Sequence, residues 1–336
     1  MRINDAMKKL IKREDLTEEE VKEVMEEIMR GETTSSQKGG FLVGLKVKGE
    51  TSKELLGAIK ALRKETITID IKNKEHLIDC CGTGGDGGNT FNISTAVAIV
   101  AASGGVKVAK HGNRAVSSKS GSLDVLKELG IKIDYSKEES QEIIENKGMA
   151  FLLAPSYNKG MKNVAKERLE LGTRTLFNMV GPLLNPAPLT GQLMGIYDGS
   201  LIETVGEVLL NLGLSRAMVV HGNDGLDEIT TTTTTTVCEI KGGIVRKYTL
   251  DPLNYGIKRA KLSEISGGTP VENSQIILNV LKGEEGARRD IVVLNAGAAL
   301  YVAKIVDSIE DGVKMANKLI STGAAYKKYM ELVQCV

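Results

Sequence analysis

The sequence predicts an α/β protein in which a small all-helical domain precedes a larger domain with a mostly parallel central sheet flanked by helices. Three observations support this fold class. The chain has 336 residues, which is enough for two domains. Residues 1 to about 65 contain helical patterns only. From about residue 75, short apolar runs alternate with helical patterns, as in a parallel sheet covered by helices.

Composition and charge disfavour several classes of protein. An apolar content of 41% and a charged content of 26% are ordinary for a soluble globular protein. The net charge of +1 gives no general attraction to nucleic acid or acidic membranes. The N-terminus lacks a signal-peptide apolar region, and no stretch approaches the ~20 apolar residues that span a bilayer. We therefore expect a cytoplasmic protein that binds neither nucleic acid nor membranes.

The N-terminal region contains two clear helix starts. Thr17 with Glu20, and Thr51 with Glu54, have the spacing of capping boxes. One apolar stripe at helical spacing follows each box. A helical module of this size buries little surface alone, so we expect it to pack on the main domain or on another subunit.

The sheet region contains seven apolar runs that predict strands. Most are separated by helical patterns, but residues 230–250 are rich in β-branched side chains around a "KGG" turn, which predicts an antiparallel excursion. The predicted small domain is 1–68, with about 163–185 packing back onto it, and the large domain is 69–162 and 186–336. The predicted strands are "HLIDC", "VKVAK", "IKIDY", "MAFLLAP", "GQLMGIY", "AMVVHG" and "DIVVLNA".

A glycine-rich loop, "DCCGTGGDGGNTFNIST" (79–95), follows the first predicted strand and precedes a helix. Free backbone N–H groups in such a turn can bind an anion, and Thr90, Asn92, Ser94 and Thr95 add polar groups. The loop is neither a Walker A motif nor a G-x-G-x-x-G turn in good register. Its residues alone leave phosphate binding and a tight structural turn both open. Asp86 suggests a sugar hydroxyl, an amine or a metal-bridged phosphate as partner.

Two further loops carry polar clusters after predicted strands. "KHGNRAVSSKSGSLD" (110–124) combines cations with hydroxyls, which suits a polyanionic phosphate ester, although His111 alone could be structural. "VVHGNDGLDEIT" (219–230) contains Asp227 and Glu228, which either lie on a solvated face or hold Mg²⁺ together with phosphate oxygens. Arg168 and Arg174 are either surface residues or clamps for a substrate carboxylate. Ligands bind at the carboxyl ends of parallel strands, so these loops are expected to converge.

Four long motifs carry a resemblance to a known family. "GTGGDGGNTFNIST", "VAKHGNRAVSSKSGSLDVLKELG", "RLELGTRTLFNMVGPLLNP" and "HGNDGLDEIT" together resemble the anthranilate phosphoribosyltransferases of tryptophan biosynthesis. The resemblance covers nearly the whole chain, in order. It implies a homodimer joined through the helical domain, with an active site in the cleft between the domains. The implied reaction transfers the phosphoribosyl group of phosphoribosyl pyrophosphate to the amine of anthranilate, with two Mg²⁺ ions per subunit.

The resemblance also implies a role for individual residues. Anthranilate would contact Gly82, Asn113 and Arg168, while Mg²⁺ would be held by Ser94, Asp227 and Glu228. Lys110 would neutralise the departing pyrophosphate, and the sequence offers no obvious general base. The residues that would contact phosphoribosyl pyrophosphate are Gly82, Gly85, Asp86, Thr90, Asn92, Ile93, Ser94, Thr95, Lys110, His111, Gly112, Asn113, Arg114, Ala115, Val116, Ser117, Ser118 and Ser122.

The chain departs from the family pattern in two places. The family usually has His-Pro-Ala-Met-Lys where this chain has Asn158 to Lys162, and it tends to place a glycine within what is here the run Thr230 to Thr236. Two alternative functions remain open: a pyrimidine nucleoside phosphorylase, and a non-catalytic relative that binds nucleic acid. The net charge of +1 and the Asp227–Glu228 pair disfavour the second alternative.

Overall fold

The N-terminal region is a bundle of four helices in the computed structural model, which describes residues 1–84, 87, 90–113 and 121–334. Both predicted capping boxes form, with Thr17 Oγ1 accepting from the Glu20 N–H at 3.2 Å and Thr51 Oγ1 accepting from the Glu54 N–H at 3.3 Å. The prediction of a helical N-terminal region is therefore confirmed. The helices are α1 (Ile3–Ile11), α2 (Glu18–Met29), α3 (Ser35–Lys48) and α4 (Ser52–Lys64).

A seven-stranded sheet forms the centre of the larger region, with strand order β3-β2-β1-β4-β5-β6-β7. The first five strands are parallel, while β6 pairs antiparallel with both β5 and β7. The "KGG" segment makes the turn between β6 and β7, as predicted. The strands are β1 (Leu77–Gly82), β2 (Lys107–Gly112), β3 (Met149–Leu153), β4 (Gly191–Gly195), β5 (Arg216–Gly222), β6 (Thr235–Lys241) and β7 (Ile244–Leu250).

Helices cover both faces of the sheet. One face packs against α5, α6 and the four C-terminal helices, and the other packs against α7, α10 and α11. None of the helices in the described part of the chain is long and apolar enough to cross a membrane. The helices are α5 (Ile93–Ser103), α6 (Ser122–Glu128), α7 (Lys137–Lys147), α8 (Ala154–Tyr157), α9 (Lys162–Leu171), α10 (Leu176–Val180), α11 (Ile202–Asn211), α12 (Pro270–Leu281), α13 (Ala287–Val302), α14 (Ile309–Ser321) and α15 (Ala324–Val333).

Two of the seven predicted strands are wrong. "DIVVLNA" lies inside helix α13, where every residue from Ile291 to Val302 is buried. A helix buried on all sides loses its amphipathic period, so its β-branched residues resemble a buried strand. "IKIDY" is not a strand either, although Ile131 and Ile133 are buried in the core. Alternating burial in this segment reflects packing without sheet pairing.

The α9–α10 segment packs against the N-terminal bundle. Lys38 on α3 and Glu167 on α9 form a partly buried ion pair at 3.2 Å, and the Asn163 side-chain amide donates to the Met29 carbonyl at 2.6 Å. Phe177 on α10 belongs to the same hydrophobic cluster as Phe41 in the bundle. That cluster continues through α11 to the sheet, so the bundle and the sheet share one core.

Candidate active site

The glycine-rich loop is tied to strand β4 at the carboxyl edge of the sheet. The Thr83 N–H donates to the Gly195 carbonyl at 3.0 Å. In return, the Thr83 hydroxyl accepts from the Tyr197 N–H at 3.1 Å. These bonds extend the β1–β4 pairing beyond the strands and fix the first residues of the loop.

The acidic loop after β5 lies directly against the glycine-rich loop. The Asp227 carboxylate accepts a hydrogen bond from the Gly84 N–H at 2.6 Å. A Cβ atom on Gly82 would collide with this carboxylate, and one on Gly195 would collide with the Asp227 backbone. Gly84 and Gly87 have φ values of +69° and +73°, which favour glycine. The glycines therefore serve both a turn and the close approach of an acidic loop.

Lys110, at the start of the second predicted loop, is hydrogen-bonded to residues at both ends of the glycine-rich loop. Its Nζ donates to the Cys80 carbonyl at 2.5 Å and to Ser94 Oγ at 3.1 Å, and the residue is 5% exposed. The Cys80 thiol has a raised pKa, first because of burial; Lys110 opposes this shift and Glu228 adds to it. The charges of Lys110 and Glu228 thus both influence the pKa of the same buried thiol. The structure therefore brings described residues of all three loops together at one edge of the sheet.

The first turn of α5 presents predicted residues on two different sides. Asn92 and Ser94 are half-buried, whereas Ile93 and Thr95 are almost fully buried in the core. The side chains of Ile93 and Thr95 are thus turned into the protein. Thr90 forms an isolated antiparallel bridge with Ser266.

The described part of the second loop ends beside the start of α6. A Cβ atom on Gly112 would lie 3.3 Å from Ser122 Oγ, so these two predicted residues are neighbours. Asn113 is exposed. The other predicted residues in the glycine-rich and second loops lie outside the described residues, namely Gly85, Asp86, Arg114, Ala115, Val116, Ser117 and Ser118.

Arg168 lies on α9, next to the short helix α10. Its guanidinium carbon is 5.6 Å from the centre of the Phe177 ring, and burial lowers its pKa. Within the described ranges, no side chain or carbonyl accepts a hydrogen bond from this guanidinium. Arg174 instead stacks on Tyr197, with 3.8 Å between its guanidinium carbon and the ring centre.

His111 is buried and has a structural partner at the position where the chain departs from the family pattern. The Asn158 amide nitrogen lies 3.1 Å from His111 Nε2, and Asn158 Oδ1 accepts from the Thr66 hydroxyl at 2.7 Å. Burial lowers the pKa of His111 to about 4, although a backbone hydrogen bond to Gly181 opposes the shift. The His111 side chain is therefore neutral at pH 7 and supplies no positive charge to a phosphate.

Asp79 is a second buried titratable group near this edge. Its carboxylate accepts from the Asn185 amide at 2.9 Å. Burial raises its pKa to about 6, against the opposing charge of Lys110. Above pH 6 the protein therefore contains a fully buried carboxylate.

His111 and Asp79 are expected to give opposite pH dependences of stability. The neutral His111 stabilises the fold above pH 6.5, and this contribution is lost as the pH falls toward 4. The protonated Asp79 is favoured in the fold, so its contribution is lost as the pH rises from 3.8 to 6. Each effect is worth about 3 kcal/mol at most.

As the pH rises from 4 to 6.5, the free energy of unfolding of the His111→Gln variant should fall by about 3 kcal/mol relative to that of wild type, because only the wild type gains the contribution of a neutral His111.

Urea unfolding at pH 4.5, 5.5 and 6.5 measures this difference. Asp79→Asn is the matched variant, and its stability relative to wild type should rise over the same range. Parallel pH profiles for wild type and both variants would contradict the assignment.

Asn295, for which the sequence predicts no role, is hydrogen-bonded to the backbone of the acidic loop. Its side chain accepts from the Ile229 N–H at 3.0 Å and donates to the Ile229 carbonyl at 2.8 Å. Ile229 directly follows Glu228, so a fully buried amide on α13 fixes the backbone beside the carboxylates. The signal in the sequence is a single Asn within an apolar run, but that run predicts a strand and not the helix that places Asn295 against the loop.

The donor set at this edge is suited to a hard cation bound together with a phosphate. Within the described residues, no group of three or more His, Cys, Asp or Glu side chains could hold a metal ion alone. Mg²⁺ needs fewer protein ligands, because one or two carboxylates combine with substrate phosphates and water. Asp227, Glu228 and the Ser94 hydroxyl provide oxygen donors of this kind, so the residues present fit Mg²⁺.

Comparison with known proteins identifies the class to which this fold belongs. Residues 4–66 match the helical bundle domain of a glycosyl transferase family, and residues 74–326 match the a/b domain of that family. Together they define a two-domain glycosyl transferase. An anthranilate phosphoribosyltransferase of Clostridium beijerinckii is 67% identical over 332 residues, covering 99% of this chain and 98% of that protein. The chain belongs to the anthranilate phosphoribosyltransferase family within these glycosyl transferases.

Solved structures agree with this family over the full length. The anthranilate phosphoribosyltransferase of Thermus thermophilus has a TM-score of 0.92 and 41% identity, covering 98% of this chain and 99% of that one. The Saccharomyces cerevisiae enzyme in complex with phosphoribosyl pyrophosphate and Mg has a TM-score of 0.90 and 26% identity, covering 99% and 97%. A further structure of the yeast enzyme, with 4-fluoroanthranilate, has a TM-score of 0.88 and the same coverage.

Proposed function

We propose that this chain transfers the phosphoribosyl group of phosphoribosyl pyrophosphate to the amine of anthranilate, releasing pyrophosphate, as a step of tryptophan biosynthesis. The observation that carries the proposal is the convergence of the Asp227 loop, Lys110 and the N-terminus of α5 at one edge of the sheet. This edge combines oxygen donors for a cation with a buried ammonium and a helix N-terminus. Such a combination suits a diphosphate leaving group.

Binding of the donor substrate follows from this arrangement. The helix N-terminus and Lys110 hold the pyrophosphate oxygens, and the other proposed contacts to the donor are those that the sequence predicts between Gly82 and Ser122. Asp227, Glu228 and Ser94 hold Mg²⁺, with two ions per subunit. Bound Mg²⁺ would neutralise charge on the departing pyrophosphate. The yeast complex with phosphoribosyl pyrophosphate and Mg supports the use of Mg²⁺ with this donor.

The acceptor substrate needs orientation more than activation. An aromatic amine already has a free lone pair near pH 7, so the reaction does not require a strong general base. Arg168, Asn113 and the backbone at Gly82 orient anthranilate, with Arg168 facing its carboxylate. The yeast complex with 4-fluoroanthranilate supports an acceptor site in this fold.

The activity can be tested directly. The purified chain is mixed with anthranilate, phosphoribosyl pyrophosphate and Mg²⁺, and the loss of anthranilate fluorescence is followed. Turnover that requires all three components is expected, and no turnover under any Mg²⁺ concentration would refute the proposal.

The relatives give no support to the two alternatives, a pyrimidine nucleoside phosphorylase and a non-catalytic nucleic-acid-binding protein. Thymidine with inorganic phosphate, and a salt-dependent DNA-binding assay, serve as negative controls for them.

We also propose the domain division predicted from the sequence, with 1–68 and about 163–185 forming the small domain. The partly buried Lys38–Glu167 pair and the hydrogen bond from Asn163 to Met29 support it, because they join the two segments directly. The large domain then consists of 69–162 and 186–336.

The proposed homodimer forms through the helical domain, where large apolar side chains are exposed. Ile11 on α1 is 82% exposed, Val47 on α3 is 65% exposed and Leu169 on α9 is 78% exposed. Helix α3 contacts both α1 and α9, so these side chains occur on adjoining helices. Exposed apolar surface of this kind is typical of a site of protein association.

Val47→Glu is expected to convert the dimer into a monomer, because a carboxylate would be buried without a partner in the interface. Sedimentation velocity at micromolar concentration measures the change. Ile244→Glu is the matched control, since Ile244 is 69% exposed on strand β7, and it should leave the dimer intact. A wild-type chain that sediments at its monomer mass of 36.1 kDa would contradict the proposed dimer.

A further inference from the structure

Asn273, on helix α12, contacts the predicted phosphate site from a part of the chain far away in sequence. It is 1% exposed, so its side-chain amide is fully buried. Its Nδ2 donates to Asn92 Oδ1 at 3.0 Å across a separation of 181 residues. Asn92 directly precedes α5, whose N-terminus carries Ser94, the partner of Lys110.

The hydrogen-bond partners fix the orientation of both amides. Asn273 Oδ1 accepts from the Gly268 backbone N–H at 2.7 Å, and a backbone N–H can only donate. The nitrogen of Asn273 must therefore face Asn92, and the oxygen of Asn92 must face Asn273. The NH₂ group of Asn92 is then turned away from Asn273. It is left as a donor at the N-terminus of α5, where a helix favours anions.

The segment that carries Asn273 is held firmly against this region. Gly267 packs so closely on Phe91 that an added Cβ would lie 2.6 Å from the Phe91 nitrogen. Arg288 donates to the Ser266 carbonyl at 3.0 Å, and Ser266 bridges to Thr90. Asn273 is thus fixed relative to residues 90–92.

We propose that Asn273 is a positioning residue for phosphoribosyl pyrophosphate: it sets the amide of Asn92 so that the NH₂ group, and not the carbonyl oxygen, faces the substrate phosphate. The inference rests on the proposed function and deepens it. Asn273 acts only through Asn92 and does not itself touch the substrate.

Asn273→Asp tests this role with almost no change in shape. The introduced carboxylate still accepts from the Gly268 N–H, but it cannot donate to Asn92. The Asn92 amide then rotates to donate to that carboxylate and presents its oxygen to the phosphate. The KM for phosphoribosyl pyrophosphate should rise about 10- to 100-fold, as for loss of a hydrogen bond to a charged group, while the KM for anthranilate stays within about twofold.

Two further variants separate positioning from stability. Glu272→Ala removes one half of the capping box of the same helix, in which the Glu272 carboxylate accepts from the Thr269 N–H at 2.7 Å. Glu272 has no hydrogen bond to Asn92. It should lower the melting temperature without a selective rise in the KM for phosphoribosyl pyrophosphate. In an Asn92→Ala background, Asn273→Asp should cause no additional rise. A selective rise in the KM for phosphoribosyl pyrophosphate with Glu272→Ala would overturn the inference. So would a full additional rise in this KM when Asn273→Asp is introduced into the Asn92→Ala background.

Calorimetric binding of magnesium pyrophosphate keeps this test independent of turnover. Asn273→Asp should weaken that binding by a similar factor. If the wild type binds magnesium pyrophosphate but never consumes anthranilate, the proposed function fails while the inference is still tested. If Asn273→Asp binds magnesium pyrophosphate as tightly as wild type, the inference fails while the proposed function can stand.

Discussion

Replacing Asp227 with Asn and Glu228 with Gln in one variant is expected to lower kcat more than about 100-fold at saturating Mg²⁺. Both changes keep the shape of the side chains but remove the negative charges that would hold the cation. The fold should persist, because an amide oxygen at position 227 can still accept the hydrogen bond from Gly84 that Asp227 accepts now. Steady-state kinetics across a Mg²⁺ titration measures the effect.

The chain offers a matched control for this variant. Glu310 and Asp311 are also adjacent acids, but they are exposed at the start of helix α14. Glu310→Gln with Asp311→Asn should leave kcat and its Mg²⁺ dependence unchanged. Near-normal turnover of the Asp227→Asn, Glu228→Gln variant would remove the argument for metal binding by this loop.

Arg168→Ala is expected to raise the KM for anthranilate about 10- to 100-fold, with a much smaller effect on the KM for phosphoribosyl pyrophosphate. The guanidinium has contact with the Phe177 ring but no hydrogen-bond acceptor within the described ranges, so little of the fold depends on it. Its hydrogen-bonding capacity is therefore available to a carboxylate. Kinetics with each substrate varied in turn separates the two KM values.

Lys166→Ala is the control on the same helix, because Lys166 is exposed and pairs only loosely with Glu170 at 3.8 Å. It should change neither KM. If Arg168→Ala raised the two KM values equally, Arg168 would contribute to general domain packing and not to acceptor binding.

Local signals predicted much of this fold. The capping boxes at Thr17 and Thr51 mark true helix starts, because a side-chain oxygen and a backbone N–H three residues apart can satisfy each other only at that position. The parallel strands β1 to β5 coincide with apolar runs between helices. By contrast, "DIVVLNA" was wrong because full burial removes the periodicity that separates a helix from a strand.

The sequence predicts those parts of the candidate site whose polar residues are clustered in one loop. It does not predict residues that contact the site from a distant part of the chain. The loops of Lys110 and Asp227 could be recognised from clustered polar residues after strands. Asn273 and Asn295 could not, because each is one buried amide within a helix, and its partner lies far away in sequence. No local pattern encodes such a contact.

These two amides also bear on the order in which the protein matures during synthesis. Asn92, in the proposed phosphate site, leaves the ribosome well before Asn273, which follows it by 181 residues. Synthesis proceeds at roughly 5–20 residues per second, so this delay is on the order of ten seconds or more. A nascent chain can therefore complete its helical bundle well before its candidate active site acquires its final geometry. Fragments that end before Asn273 and Asn295 lack both supports, whatever their state of folding.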